Sequence, residues 1–365
     1  MKLYEILRKM LDKGASDLHF KVGSPPMLRI DGSLEPINDK DLAPEHTFTI
    51  AKQFMSDEQF ERFEKEKELD FSVGIRGMGR FRVNCFIARG AVAIALRKIS
   101  VDIKNIDELN LPSKLKSLAL APRGLILVTG TTGSGKSTTL ASMIDYINSI
   151  ERKHIITIED PIEFLFKDKK SIINQREVGA DTESFSQALR RILRQDPDVI
   201  MIGEMRDKET IGTAITAADT GHLVMSTLHT TNAVQTINRI IGYYPPHQQE
   251  QIRIQLASTL RAVISLRLIK KASGVGRVPA VELLINTPHV QDMIKDKKET
   301  YKIHGAIKKG DQYGMQTFDQ SIMELYQKGL ITLEEALKQS SNPDDFKLKV
   351  QGIDSSDMSD MWEEE

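Results

Sequence analysis

The stretch Gly130-Thr131-Thr132-Gly133-Ser134-Gly135-Lys136-Ser137 decides the fold of this chain. It is a complete G-x-x-x-x-G-K-[ST] phosphate-binding loop. An apolar run at 124–129 precedes it and predicts a buried strand, and apolar residues recur at helical spacing over 140–147. A strand, a glycine loop and a helix in this order are what a nucleotide phosphate site needs.

The loop chemistry indicates a nucleoside triphosphate with Mg²⁺. The glycines let backbone N–H groups converge on an anion, and the helix N-terminus adds free donors. Lys136 can reach the β- and γ-phosphates, and the Ser137 hydroxyl can hold Mg²⁺. The expected nucleotide-binding residues of this stretch are Gly130, Thr131, Thr132, Gly133, Ser134, Gly135, Lys136, Ser137 and Thr138.

Composition narrows the class of protein. Lys+Arg is 50 and Asp+Glu is 51, a formal net charge of −1, which gives no overall attraction to nucleic acid. Cys85 is the only cysteine, so an internal disulfide and a cysteine-based zinc site are excluded. The chain has neither an apolar run long enough to span a membrane nor a signal peptide, so we expect a cytosolic protein.

The hydrophobic pattern predicts an α/β protein with two main domains. From Arg123 onward strands and helices alternate, as in a parallel sheet, and beyond Pro246 we expect mostly helix apart from a strand at 278–285. The expected segments are a small α+β domain at 1–100, a linker at 101–122, an ATPase core at 123–285, a helical region at 286–350 and an acidic, disordered tail at 351–365.

Carboxylates follow two predicted strands of the core. They are Glu204 after the strand at 198–203, and Glu159, Asp160 and Glu163 after the strand at 154–158. The carboxyl ends of parallel strands meet at one edge of a sheet, beside the phosphate loop. Because Gly203 stands where this class usually has Asp, we expect the Glu159–Glu163 cluster to supply the outer Mg²⁺ ligand and Glu204 to position the attacking water. Ser137, Glu163 and Glu204 are the expected residues around the metal.

Two histidines flank a further predicted strand at 222–228. His229 follows it, and we expect this side chain to sense the γ-phosphate. His222 precedes it and is a second, weaker candidate for the nucleotide site.

Two arginines in the N-terminal domain are predicted to face each other. Apolar and polar residues alternate over 81–87 and again over 92–97, as in half-buried strands. A two-residue turn at Arg89-Gly90 would pair position i with 179 − i and place Arg82 opposite Arg97. Like charges in such a pair destabilise a hairpin, and a shared anion would offset that cost; the alternative is two solvated arginines with carboxylate neighbours.

Several motifs in order resemble the secretion-type hexameric ATPases. They are the phosphate loop, Ile158–Glu163, Leu193–Arg206 and Thr220–Thr230. Ala15–His19 and Gly314–Gln320 make the resemblance closest to the PilT family, the retraction ATPases of type IV pili. It covers nearly the whole chain except the acidic tail.

The resemblance implies a PAS-like N-terminal domain followed by a RecA-like ATPase domain with a helical C-terminal region. It also implies a homohexamer at the cytoplasmic face of the inner membrane that contacts the platform protein of the pilus machine and uses ATP hydrolysis to retract pili. In family terms Glu159–Glu163 is the Asp box, Gly203-Glu204 ends the Walker B strand, and His222 and His229 form the His box. The family also places arginines of this hairpin against the nucleotide phosphates, and we expect Arg82 and Arg97 to act as arginine fingers.

One stretch departs from the family pattern. The family commonly has Ala-Ile-Arg-Asn-Leu-Ile-Arg-Glu where this chain has His289–Asp296, and Gln291 and Lys295 replace its two arginines. Both a main retraction motor and an accessory, PilU-like paralogue are therefore open. A pilus extension or type II secretion ATPase, a nucleotide-binding regulatory subunit and a DNA translocase fit the residues less well.

Overall fold

The computed structural model describes residues 3–30 and 32–352. The chain divides into two compact units, and the α/β class with two domains is confirmed. Unit 1 contains the residues up to Asp102 together with 160–165 and 177–183, and unit 2 contains 103–159, 166–176 and the residues from Ser184 onward. Apart from 351 and 352, the expected acidic tail lies outside the described residues.

Unit 1 is an antiparallel sheet that shares one apolar core with three helices. The strand order is β3-β2-β1-β6-β5-β4. The helices are α1 (Leu3–Asp12), α2 (Pro44–Phe54) and α3 (Asp57–Glu66), and the strands are β1 (Asp17–Phe20), β2 (Met27–Ile30), β3 (Ser33–Pro36), β4 (Glu68–Ile75), β5 (Gly79–Ala88) and β6 (Ala91–Lys98).

The β5–β6 hairpin has the predicted register. Arg82 pairs with Arg97, and the apolar residues of the two strands meet on the other face. The turn residues Arg89 and Gly90 have φ angles of 53° and 79°, and a two-residue turn with positive φ at both positions matches the twist of the strands it joins.

Unit 2 is built around a seven-stranded sheet of order β13-β12-β7-β11-β10-β8-β9, in which β12, β7, β11, β10 and β8 run parallel and β13 is antiparallel to β12. Its strands are β7 (Gly124–Thr129), β8 (His154–Glu159), β9 (Ile172–Glu177), β10 (Val199–Ile202), β11 (Leu223–Leu228), β12 (Leu260–Lys270) and β13 (Arg277–Ile285). β7, which precedes the phosphate loop, lies between β12 and β11 and is wholly buried.

The helices of unit 2 are α4 (Lys114–Ala119), α5 (Lys136–Ile150), α6 (Phe185–Ile192), α7 (Lys208–Asp219), α8 (Ala233–Gly242), α9 (Pro246–Thr259), α10 (Pro288–Lys295), α11 (Ile303–Lys308), α12 (Phe318–Gln327), α13 (Leu333–Gln339) and α14 (Pro343–Val350). α12, α13 and α14 form a small apolar cluster against β12 and β13. None of the helices in the described part of the chain has the length and apolar character needed to cross a bilayer.

Three features differ from the sequence expectation, and the first is that residues 160–165 and 177–183 of the expected ATPase core cluster with unit 1. The stretch at 246–277, which we expected to be mostly helix, contains the eleven-residue strand β12. This strand begins at the residue after α9 ends, so no Gly or Pro marks the change from helix to strand. The expected linker at 101–122 belongs from Ile103 onward to unit 2. Its apolar side chains enter the main core there, whereas its prolines had suggested a connection.

Cys85 is fully buried in the core of unit 1, and burial raises the pKa of its thiol to about 12. Because the thiolate is the reactive form, we expect a thiol reagent at pH 8 to modify the folded protein at least about a thousandfold more slowly than the urea-unfolded protein. Titration with a chromogenic disulfide reagent, with and without urea, measures both rates on one residue. Equal rates in the two conditions would contradict this burial.

Candidate functional site

The carboxyl edge of the parallel strands gathers the candidate residues of unit 2. The phosphate loop follows β7, His229 follows β11, and Glu204 follows β10 after Gly203. Glu159 is the last residue of β8. Since β8, β10, β11 and β7 are neighbours in that order, these groups share one edge, where open α/β sheets bind ligands.

Gly130 shows why the loop begins with glycine. Its φ angle is 145°, and a Cβ built there would lie 2.6 Å from the carbonyl oxygen of Leu266 and 2.4 Å from Oγ of Ser134. No side chain fits so close to a backbone. The Ser134 hydroxyl is buried and has no hydrogen-bond partner within residues 3–30 and 32–352, so it remains available to a phosphate oxygen.

Lys136 is held inside the loop. Only 9% of the residue is exposed, and its Nζ donates to the carbonyl oxygens of Gly130 and Thr131, both at 3.0 Å. Burial lowers the pKa of this ammonium group, and the charge of Glu204 opposes that shift. The structure thus places one fixed cation at the loop, opposite an acidic partner.

Glu204 has a donor on each carboxylate oxygen. Nη2 of Arg206 lies 2.8 Å from Oε2, and Nε2 of His229 lies 3.3 Å from Oε1. Burial alone would raise the pKa of Glu204, but Arg206 and His229 outweigh it and the net shift is downward. Each oxygen keeps a lone pair, so an ionised Glu204 can still accept a hydrogen bond from a water molecule.

The Asp-box residues are divided between the two units. Glu159 belongs to unit 2, where its buried carboxylate accepts hydrogen bonds from Thr157 Oγ1 at 2.7 Å and Gln175 Nε2 at 3.0 Å. Asp160 and Glu163 belong to the segment that clusters with unit 1. Over the described ranges, no group of three or more His, Cys, Asp or Glu side chains is arranged to hold a metal by itself.

His222 lies at the other edge of the sheet. It precedes β11, its carbonyl accepts from Gly124 N at the start of β7, and its Nδ1 lies 2.9 Å from the carbonyl oxygen of Ala217. Six strand residues, about 20 Å of extended chain, separate it from the edge that carries His229. Within one chain His222 therefore does not join the phosphate loop, which corrects the expectation drawn from its position beside the strand.

Arg97 has a carboxylate partner within unit 1. Its Nε donates to Oδ1 of Asp17 at 2.7 Å, and Arg29 lies 3.9 Å from the other oxygen of the same carboxylate. Burial opposes ionisation of Asp17, but Arg97 outweighs it and lowers the pKa of Asp17. Asp17 lies on β1, which neighbours β6 on the side away from Arg82, so Arg97 has the carboxylate neighbour of the alternative interpretation, whereas the pairing of Arg82 with Arg97 contains no carboxylate from Asp17.

A cavity of about 340 Å³ opens beside the phosphate loop. Sequence reasoning missed its other walls, because they come from distant segments. They are Thr231, Leu266, Arg267, Leu268, Arg277 and Gln339. Arg267 donates to the Gln339 carbonyl at 3.1 Å and lies over the Phe318 ring at 4.0 Å. The cavity offers two arginines and a polar wall to the remainder of a molecule whose phosphates lie on the loop. Two larger cavities, of about 600 and 610 Å³, lie among residues 287–352 and contain none of the candidate site residues.

Sequence relatives match the chain over nearly its whole length. It is 45% identical to the type IV pilus retraction ATPase PilT of Pseudomonas aeruginosa over 346 residues, which are 95% of this chain and 100% of the relative. It is 42% identical to the type IV pilus ATPase PilU of the same organism over 350 residues, 96% of this chain and 91% of the relative.

Solved structures and a family model agree with these relatives. A crystal structure of the pilus retraction motor PilT with bound ADP superposes with a TM-score of 0.88 at 48% identity and covers 94% of this chain and 98% of that one. The Legionella pneumophila ATPase DotB superposes with a TM-score of 0.80 at 26% identity, covering 96% of this chain and 95% of that one. The model of the type II/IV secretion system protein family matches residues 2–338. The chain belongs to the type II/IV secretion system protein family.

Proposed function

We propose that this protein is a motor ATPase that hydrolyses ATP to power type IV pilus retraction. The observation that carries the proposal is Glu204, an ion-paired carboxylate on the same sheet edge as a complete phosphate loop with a buried lysine. The similarity to retraction ATPases over 95% of the chain supports the same reading.

In the proposed reaction the loop amides and Lys136 bind the phosphates, and Ser134 Oγ gives a further donor. Ser137, Glu163 and Glu204 would lie around the Mg²⁺ that accompanies ATP, with Glu159 and Asp160 beside the nucleotide, and the metal would balance the charge of the phosphates. Glu204, kept ionised by its two donors, orients the attacking water. His229 senses the γ-phosphate, and its contact with Glu204 couples the presence of this phosphate to the position of the Glu204 carboxylate. The 340 Å³ cavity receives the nucleoside part.

The proposed assembly is a homohexamer in the cytoplasm, docked at the cytoplasmic face of the inner membrane against a platform protein of the pilus machine. The PAS-like character of unit 1, and Arg82 and Arg97 as arginine fingers, belong to this proposal.

The departure at residues 289–296 favours a second candidate, an accessory retraction ATPase. This reading is supported by the 42% identity with PilU and by the absence of both motif arginines. Deletion of the gene separates the two candidates. Hyperpiliated cells without twitching indicate the main motor, normal twitching under low load indicates the accessory one, and bald cells would contradict both.

Lys136→Ala and Glu204→Gln are expected to fail at different steps. Lys136→Ala removes the cation of the phosphate cradle and should weaken ADP and ATP binding about tenfold or more. Glu204→Gln keeps the shape of the side chain and removes its charge, so ATP should still bind while turnover falls about 100-fold or more. Calorimetric binding and steady-state phosphate release measure the two effects. Near-normal turnover in Glu204→Gln would contradict the role of Glu204.

Arg82→Ala and Arg97→Ala test the proposed fingers. A group that stabilises transition-state charge should lower turnover far more than nucleotide affinity, by about 10³-fold against less than about threefold. Arg29→Ala is the matched control, because it also removes an arginine beside Asp17 but from a different strand. If either finger variant assembles and hydrolyses ATP at the parent rate, that arginine is not a finger.

Native mass measurement tests the assembly. We expect a homohexamer whose mass does not change with reductant, since Cys85 is the only cysteine and is buried. Measurements in ATP, ADP and nucleotide-free buffer complete the test. A stable monomer in all three would reject the ring.

A further inference from the structure

Glu282 is a buried carboxylate that the proposed reaction leaves without a role. It lies in β13, is 3% exposed, and accepts a hydrogen bond from the backbone N–H of Ala233 at 2.8 Å through Oε1. Burial raises the pKa of this carboxyl, while the Ala233 hydrogen bond and the nearby His304 oppose that shift. Burying a carboxyl is costly unless it is hydrogen-bonded, and the Ala233 N–H is the partner that offsets this cost.

The hydrogen bond joins β13 to the loop that carries His229. Ala233 is the first residue of α8, and residues 229–232 connect it to the end of β11. This connection brings His229 to Glu204 and Thr231 to the wall of the cavity beside the phosphate loop.

The connection is itself tied to the first turn of α8. Thr231 donates to Oε1 of Gln235 from its backbone N at 2.7 Å and from its hydroxyl at 2.8 Å, and the Thr230 and Thr236 hydroxyls lie 2.7 Å apart. These hydrogen bonds tie the loop to the first turn of α8. What fixes the start of α8 also fixes His229.

The local cap of α8 does not provide an acceptor for the Ala233 N–H. The side chain of Asn232 already accepts from Gln235 N at 2.8 Å and caps α8. The Ala233 N–H is a separate donor, and Glu282 reaches it from another strand, 49 residues away in sequence. Because Glu282 satisfies a first-turn N–H of α8 from β13, the contact links two elements across the fold.

The motif at 314–320 holds β13 on both sides of Glu282. Gln316 and Leu283 exchange backbone hydrogen bonds of 2.8 and 3.2 Å, and Nε2 of Gln316 donates to the Val281 carbonyl at 2.8 Å. The N–H of Val281 donates to Oγ of Ser321 at 3.0 Å. Hydrogen bonds thus hold the backbone on both sides of Glu282, so its carboxylate can hold the 229–232 loop in a defined position.

We infer that Glu282 is a positioning residue: its carboxylate fixes the N-terminus of α8, and through the 229–232 loop it sets the place of His229 beside Glu204. The route runs from the 314–320 motif through β13 to the catalytic edge of the sheet, entirely within unit 2. It rests on the proposed roles of Glu204 and His229. The 314–320 motif, which had no part in the chemistry, gains a function as the support of this contact.

A matched pair of variants tests the hydrogen bond. Glu282→Gln keeps an acceptor for the Ala233 N–H, whereas Glu282→Met has similar length and no acceptor. We expect the Gln variant to keep turnover within about twofold of the parent, and the Met variant to lose about tenfold in kcat with KM changed less than about threefold. Thr300→Val is the control for losing a buried hydrogen bond elsewhere in unit 2, and should lower Tm without lowering kcat.

Ala233→Pro removes the same hydrogen bond from the other side. Proline is well accepted at the first position of a helix, and the extended backbone of Asn232 suits a residue before proline. The proline Cδ takes the place of the N–H, so the Glu282 carboxylate, whose Oε1 lies 2.8 Å from Ala233 N, has to turn away. We expect the same loss of kcat as in Glu282→Met. If the Glu282→Met protein does not fold, the kcat of Ala233→Pro tests the role of the hydrogen bond in its place.

Double variants separate positioning from general destabilisation. In a His229→Ala background, Glu282→Met should cost less than about twofold in kcat, since the side chain that it positions is already absent. Equal losses in Gln and Met, parent-like kcat in Ala233→Pro, or an undiminished tenfold loss in the His229→Ala background would each overturn the inference. A parent-like kcat in His229→Ala itself would instead reject the proposed role of His229.

Discussion

The close approach of Gly130 to the Leu266 carbonyl is the constraint on which the nucleotide site depends. With only 2.6 Å available to a Cβ, the phosphate loop rests directly on β12, while β7 delivers it from the neighbouring position. The Nζ of Lys136 then closes the loop by donating to the carbonyl oxygens of Gly130 and Thr131. Any side chain at 130 would lift the loop from β12 and displace the ammonium group that the phosphates need.

Sequence patterns predicted the parts of the fold that depend on local periodicity. The alternation of apolar residues set the β5–β6 register to the residue, because a shift by one would turn every apolar side chain to the wrong face. The sequence did not predict β12, because Ala262–Leu266 is buried on both faces and such an apolar run has no period that distinguishes a strand from a helix. The same strand forms the wall beneath the phosphate loop, so its omission also hid Leu266 and Arg267.

The candidate site was predictable where residues follow strands directly. Glu204 and His229 come next to the carboxyl ends of β10 and β11, so strand direction alone predicted their common edge. Strand direction also argues against a place for His222 at this edge, because His222 precedes β11 and lies at the amino end of that strand. Thr231 and Arg277 could not be found this way, because their place at the cavity depends on how α8 and β13 pack, and no local pattern records tertiary packing.

The burial of Cys85 has a practical consequence for experiments on this protein. Its thiol is enclosed by apolar side chains and is the only one in the chain. The natural sequence therefore already serves as a background for site-specific labelling, with no need to delete a native cysteine first. A cysteine introduced at an exposed position such as Tyr301, which is 70% exposed, would be the only reactive thiol, and a fluorophore attached there would report distances within the assembly that we propose.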